Sequence, residues 1–423
     1  MTATTIPDAQ PTADGSAATA LPVGIIGFGW MGRAHAQAYA RLRHHYPHLT
    51  PAPRLMTIAD EVADRAATAA AQFDAGFVTD WRDLVADNSI AAVSVTAPNF
   101  LHREIGCAVV TAGKHLWIEK PVGLSSADAR AVADAAHAAG VATAVGFNYR
   151  NAPAVAAARE IIGAGEIGEI THARFRLFSD YAAHPDGALS WRFARERGGN
   201  GVLGDLASHG ADLIWYLLGD IDSLVADTAI FIDSRPKPTG ATSGHQLATG
   251  GERGPVENED YLSAQLRMAS GARCVLEASR VSVGEQNSYG FEIHGTTGVL
   301  RWDFRRMGEL EIGRSGTSGV IQDLPTSTVY VGPGHGQYAA FQPGSATAMG
   351  YDDLKVIEAA RFCASIIGPD AVAAVGAGAT IDDAVRAAEV LDAMTASVEH
   401  GAWVSPASVS SVSVSSVSVS HDG

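Results

Sequence analysis

With 423 residues and 47% apolar side chains, the chain is long enough for two sizeable cores. A net charge of −16 without a basic stripe argues against nucleic acid and anionic membranes as partners. No apolar run reaches the length of a membrane span. The three widely spaced cysteines, Cys107, Cys274 and Cys363, suit reduced thiols in the cytoplasm and lack the neighbours of a metal set.

Residues 1–20 lack a basic stretch followed by an apolar core and are expected to be a disordered tail, not an export signal. Residues 23–26 read as a strand that runs into Gly27-Phe28-Gly29-Trp30-Met31-Gly32, and residues 33–39 read as a helix. A dinucleotide fingerprint needs this setting. Its first glycine allows the turn, its second lets backbone approach a pyrophosphate, and its third lets helix and strand pack closely. The helix start offers unpaired N–H groups to the phosphates. The acid expected at the end of the second strand comes late, as Asp60, because a proline-broken, histidine-rich loop (residues 44–53) precedes that strand. Asp60 is expected to accept the adenosine ribose hydroxyls and, with Glu61, to repel a 2′-phosphate. Arg65 is placed more than a helical turn away, so NAD is expected over NADP. Asp60 also suits the N-cap of a helix over residues 61–72. The loop histidines have no carboxylates beside them and read as solvated rather than metal-binding.

Residues 90–99 read as a strand and turn, and residues 101–112 as a helix. Lys114-His115-Leu116-Trp117-Ile118-Glu119-Lys120-Pro121 then takes a buried strand straight into a charged pair and a proline. The carboxyl ends of parallel strands open into the ligand crevice of an α/β sheet. Only Lys114, Lys120, Lys237 and Lys355 are lysines, and an ammonium placed after a buried strand needs a partner. A strand-capping charge pair is the structural alternative. Alternation of strands and helices as far as residue 147 implies a doubly wound parallel sheet, so the first domain is expected over residues 21–148.

Four glycines precede Asp205-Leu206-Ala207-Ser208-His209. Asp205 and His209 stand four apart and share a helical face. A carboxylate that orients an imidazole is what a general base needs; a dipole-stabilised acid and a core histidine is the structural alternative. Strands at 170–180, 261–268, 272–279, 290–294, 298–302 and 310–313, several joined by short turns, imply a large, mostly antiparallel sheet with one helix-covered face. Helices at 154–165, 352–367 and 381–400 complete this α+β domain, expected over residues 149–404. The apolar alternation Ala264-Leu266-Met268 is assigned to the uncovered face, and a homodimer or homotetramer is expected to bury it. Residues 235–254 read as a surface loop and residues 405–423 as a low-complexity Ser/Val tail.

Together Gly27-Phe28-Gly29-Trp30-Met31-Gly32, Ala97-Pro98-Asn99-Phe100-Leu101-His102, Glu119-Lys120-Pro121 and Gly204-Asp205-Leu206-Ala207-Ser208-His209 resemble the glucose–fructose oxidoreductase, inositol dehydrogenase and rhizopine-catabolism family, Gfo/Idh/MocA, over residues 21–404. The resemblance implies Lys120, Asp205 and His209 as the catalytic lysine, aspartate and histidine. It implies cofactor contacts from the glycine turn, Asp60, Thr96, Pro98, Asn99, His102, Glu119 and Lys120, with Pro98, Asn99 and Glu119 lining the nicotinamide ribose. The Lys-Pro bond is frequently cis in relatives. The implied activity is NAD-dependent oxidation of a secondary alcohol on a sugar, amino sugar or cyclitol. The family also holds NAD-dependent glycosidases that work by transient oxidation, and nucleotide-binding regulators. Besides Lys120, Asp205 and His209, substrate contacts are expected from Asn148, Tyr149 and Arg192, although Tyr149 departs from the arginines common there. Asp180, Tyr181 and Trp191 are further candidates, and His335 and Tyr338 are expected on a loop that closes the pocket.

Overall fold

The computed structural model describes residues 20–238, 247–248, 251–315 and 324–407. The expected N-terminal tail, apart from its last residue, and the Ser/Val run from residue 408 lie outside them.

Six strands, β1 (Leu21–Ile26), β2 (Pro53–Ala59), β3 (Gly76–Val78), β4 (Ala92–Val95), β5 (His115–Ile118) and β6 (Thr143–Val145), form a parallel sheet in the order β3-β2-β1-β4-β5-β6. Helices α1 (Trp30–His45), α2 (Ala63–Phe73), α3 (Trp81–Ala86), α4 (His102–Thr111) and α5 (Ser126–Ala139) alternate with the strands. Every residue of β4 is buried, as is usual for a central parallel strand covered on both faces. The strand order turns back at β1, which pairs with both β2 and β4. A crevice therefore opens beyond the carboxyl ends of these strands.

Helix α6 (Pro153–Gly163) leads to β7 (Ile170–Phe178). Helix α7 (Arg195–Gly198) is followed by a π-helical turn, Leu203–Ala207, that continues into α8 (Ser208–Leu218). Then come β8 (Ile221–Ala229), β9 (Ser234–Pro236), β10 (Arg253–Pro255), β11 (Tyr261–Met268), β12 (Arg273–Ser279), β13 (Ser288–Gly295), β14 (Gly298–Asp303), β15 (Glu309–Arg314) and β16 (Thr326–Tyr330). Eight strands form the second sheet, β16-β15-β14-β13-β7-β12-β11-β8, antiparallel except where β12 meets β7. Helices α9 (Tyr351–Ile367), α10 (Pro369–Val375) and α11 (Ile381–His400) end the described fold. Among the described residues no helix is long and apolar enough to cross a membrane.

Three placements differ from the sequence expectation. Ala264, Leu266 and Met268 are buried in one core with Leu213 and Leu217 of α8 and Leu391 and Met394 of α11. The stripe faces the protein's own helices, and the outer face of β11 carries Gln265 and Arg267. A period of two separates the faces of a strand without saying which one a helix will cover. Second, the ends of the expected loop at 235–254 pair as the antiparallel strands β9 and β10. Arg235 anchors them: it is buried, donates to the His184 carbonyl at 2.9 Å and lies over the Phe193 ring. Third, α9 leaves its own half of the chain. Its Val356, Phe362 and Cys363 share a core with Ile25, Leu42 and Trp117 of the first sheet layer.

Candidate active site

The glycine turn shows three different surroundings. A Cβ on Gly27, whose φ is +85°, would lie 2.7 Å from the Ala97 nitrogen, and one on Gly32 would lie 2.3 Å from the Gly27 carbonyl oxygen. A Cβ on Gly29 would meet nothing within 4 Å. The outer two glycines are packed against protein and the middle one faces open space, which is the division of labour a bound pyrophosphate requires. Thr96 donates its hydroxyl to the Gly27 carbonyl and so holds the turn. Trp30, 69% exposed, stacks on Tyr351 of α9 with ring centroids 5.3 Å apart, and the Tyr351 hydroxyl lies 3.6 Å from the Met31 sulfur.

Asp60 ends β2 and is buried. Its Oδ2 accepts the Phe28 N–H at 2.7 Å, and its Oδ1 accepts the Val62 N–H at 2.9 Å and Arg65 Nη2 at 2.6 Å. Two corrections follow. Helix α2 begins at Ala63 with Val62 as its cap, so Asp60 ties the approach to the helix. Arg65 is not remote either, because the first turn of α2 folds it back onto the carboxylate.

Two turns close the other side of the crevice. Asn99 donates to the Gly198 carbonyl at 3.0 Å while its Oδ1 is buried without a protein partner. His102, expected to touch cofactor, is buried with Nδ1 2.8 Å from the Pro121 carbonyl and Nε2 2.7 Å from that of Ala97. A carbonyl oxygen lies against each ring nitrogen, and the one nitrogen that carries the proton donates to its carbonyl, so His102 sits between the Pro98 and Pro121 turns and presents neither nitrogen to the crevice. The Lys120–Pro121 bond is cis.

Lys120 emerges from the end of β5 and donates Nζ to the Asp205 main-chain oxygen at 2.7 Å and to its Oδ1 at 3.2 Å. Tyr181 donates its hydroxyl to Asp205 Oδ2 at 2.5 Å. Enclosure in the cleft would raise the Asp205 carboxyl, but the Lys120 ammonium, the Tyr181 hydroxyl and the charge of Arg192 hold it well below the usual carboxylate range. Arg192 itself lies over the Trp191 ring at 4.5 Å, and Trp191 meets Phe100 edge-on at 5.6 Å across the crevice.

His209 lies one turn after Asp205, but no hydrogen bond joins the two among the described residues. The expected carboxylate–imidazole contact is replaced by the bonds from Lys120 and Tyr181, a cation and a strong donor that outcompete a neutral ring. The His209 ring packs instead against Tyr149 at 4.6 Å and Phe147 at 6.1 Å. Burial, with the Lys120 charge, lowers its pKa well below the ordinary histidine value, so the imidazole is neutral near pH 7. Asn148 is buried with Nδ2 unpartnered. Tyr149 also meets Tyr289 at 5.5 Å and Phe304 at 5.0 Å. These two aromatics had no signal in the sequence, since they reach the site from β13 and the turn after β14. Tyr338 is not a pocket residue: it is fully buried, and its hydroxyl staples its own loop to the Gly344 and Thr347 carbonyls.

Residues 21–147 match an oxidoreductase family with an NAD-binding Rossmann fold, and residues 155–301 match the GFO/IDH/MocA C-terminal domain. The chain belongs to the Gfo/Idh/MocA family. Levoglucosan dehydrogenase of Pseudarthrobacter phenanthrenivorans is 35% identical over 395 residues, covering 92% of this chain and 99% of that one. Inositol 2-dehydrogenase of Rhizobium meliloti is 27% identical over 295 residues, 68% of this chain and 77% of that one. Among solved structures, levoglucosan dehydrogenase in complex with NADH and levoglucosan superposes with a TM-score of 0.83 at 34% identity, over 92% of this chain and 99% of that one. An NAD binding oxidoreductase from Klebsiella pneumoniae gives 0.82 at 34%, with the same coverage. This Gfo/Idh/MocA protein is thus an NAD-dependent dehydrogenase with an NAD-binding Rossmann domain.

Proposed function

We propose that the enzyme oxidises a secondary alcohol of a sugar, amino sugar or cyclitol, with Lys120, Asp205 and His209 as its reacting set. The observation that carries this reading is the placement of the Lys120 ammonium and a neutral His209 in one cleft, at the carboxyl end of β5 beside the glycine turn. Bound NAD supplies the hydride acceptor. An imidazole nitrogen of His209 takes the hydroxyl proton as the C–H pair departs and the C=O bond forms. Lys120 Nζ donates to the reacting oxygen and eases its alkoxide-like charge. Asp205 acts on Lys120, holding the ammonium through two oxygens, with Tyr181 fixing the carboxylate from its far side. Tyr149, Tyr289 and Phe304 offer ring faces to the C–H faces of a sugar, and Asn148 and Arg192 offer donors.

Asp60 is assigned to the adenosine ribose and to preference for NAD over NADP. Residues 21–148 and 149–404 serve as cofactor and substrate domains, with α9 packed against the former. A homo-oligomer through the open sheet face is supported by a row of alternating charges, not by an apolar stripe. Glu311, Arg301, Glu292 and Arg174 lie in register across β15, β14, β13 and β7. A two-fold axis along the strands lays this row on its own reverse, so each charge faces its opposite. The three thiols are free, which fits work in the cytoplasm.

The test is a spectrophotometric screen for NADH formation with levoglucosan first, then inositols, hexoses and amino sugars. NADH accumulating in step with an oxidised sugar supports the dehydrogenase. Release of a sugar from a glycoside with no net NADH would replace it with the glycosidase reading.

A further inference from the structure

Lys355 sits where a lysine is hardest to keep. It lies on α9 and is fully buried. Its Nζ is 2.5 Å from Glu119 Oε1 and 3.0 Å from Glu358 Oε1. The same Glu119 oxygen is 3.0 Å from His35 Nε2, and the same Glu358 oxygen accepts the Trp117 indole N–H at 2.7 Å. The His35 ring stacks on Trp117 at 3.6 Å. His35, Glu119 and Glu358 have the spacing of a metal set, but the Lys355 ammonium bonds both carboxylates and supplies the cation itself. Burial works against that ammonium, yet Glu119 and Glu358 raise its pKa above the ordinary lysine value. Burial likewise opposes the Glu119 charge, and Lys355 and His35 hold its carboxyl below the usual range.

A purely structural ion pair would not need to be shared with the reacting strand end, and this one is. Glu119 Oε2 accepts the main-chain N–H of Lys120 at 3.3 Å. A Cβ on Gly146 would lie 2.4 Å from Glu119 Oε2, so that glycine leaves the carboxylate its room. At its own start, α9 also places Tyr351 on Trp30 of the glycine turn. One helix from the C-terminal half thus reaches both sides of the crevice.

We propose that Lys355 is a positioning residue for hydride transfer, pinning the Glu119 carboxylate as a charged acceptor beside Lys120 and the nicotinamide ribose. This rests on the dehydrogenase reading above. An unpinned Glu119 would be free to swing toward Lys120 and away from the ribose hydroxyls that the proposal gives it to hold.

The experiment is a double-mutant cycle on NADH affinity, read by fluorescence titration, with Lys355→Met, Glu119→Gln and the double variant. Losing a hydrogen bond to a charged group is expected to weaken NADH binding about 10-fold in either single variant. If Lys355 acts through Glu119, the double variant should bind NADH as Glu119→Gln does. Lys355→Met leaves a buried carboxylate unpaired and is the variant at risk of not folding. The double variant removes the Lys355–Glu119 pair together and leaves Glu358, whose carboxyl burial already raises to about 7, to be held as the neutral acid, so its comparison with Glu119→Gln reads the proposal either way. A double variant more than about threefold weaker than Glu119→Gln would show that Lys355 works independently of Glu119. Wild-type affinity in Glu119→Gln would equally overturn the proposal. Wild-type protein that fails to bind NADH would sink the dehydrogenase reading as well, so the two failures are told apart.

Discussion

Lys120 donates twice to one residue, to the Asp205 main-chain oxygen at 2.7 Å and to its carboxylate at 3.2 Å. The aspartate therefore aims the lysine rather than the histidine. Lys120→Ala should lower kcat about 10²–10³-fold as a charge-stabilising donor is lost. His209→Ala should lower it about 10²–10⁴-fold as the base is lost. Both should leave the NADH dissociation constant within a few-fold of wild type. Asp205→Asn keeps the main-chain contact and should fall between wild type and Lys120→Ala. Turnover surviving within a few-fold in His209→Ala would make that histidine structural.

Tyr181 reaches Asp205 from the side away from Lys120. Tyr181→Phe removes one donor to a charged acceptor while keeping the ring, so kcat should fall by about 10-fold, with Tm little changed. Unchanged kcat would show that Lys120 alone fixes the carboxylate.

Arg65 is held on Asp60 at 2.6 Å. On the proposed ribose assignment of Asp60, removing that carboxylate frees a guanidinium where a 2′-phosphate would arrive. Asp60→Ser should lower kcat/KM for NAD and raise it for NADP, and Asp60→Ser with Arg65→Ala should lose the NADP gain. Glu61→Arg added to Asp60→Ser should increase the gain further. Unaltered discrimination in all three would remove Asp60 from the ribose.

Burial lowers the pKa of His35 to about 4, and it also lowers His102 and His209. A folded-state pKa below the unfolded value of 6.5 means the native state holds fewer protons in that window. Stability is then complete above pH 6.5 and is lost as the pH falls through that value toward 4. For His35 the loss approaches about 3 kcal/mol. Glu358, raised by burial to about 7, has the opposite slope and stabilises the folded state as the pH falls. Denaturant unfolding of wild type and His35→Gln at pH 7.5, 6 and 5 isolates the histidine. The variant should show the shallower acid loss, and parallel curves would count against it.

The row Glu311-Arg301-Glu292-Arg174 is self-complementary when reversed. Arg301→Glu with Arg174→Glu should turn it into one sign of charge and shift the mass measured by light scattering toward a monomer. Restoring opposite signs by adding Glu292→Arg and Glu311→Arg should recover the oligomer. A mass unmoved by the first pair would place the interface elsewhere.

Much of this molecule was legible along the chain. Gly27, Gly29 and Gly32, the alternation of strands with helices, and the Glu119-Lys120-Pro121 and Asp205–His209 segments are local patterns. Backbone sterics and side-chain periodicity act over a few residues, so they disclose a turn, a strand end or a helix face without knowledge of the rest. The tertiary structure decided which groups those segments meet. Asp205 turned to Lys120, 85 residues distant, and Tyr181, in place of the histidine one turn on. His102 turned both ring nitrogens toward main-chain carbonyls and away from the crevice. Ala264, Leu266 and Met268 faced helices supplied by distant parts of the chain, and Lys355 crossed 236 residues to Glu119. A buried charge takes whichever partner the packing brings within about 3 Å, and alternation along a strand separates two faces without naming the covered one.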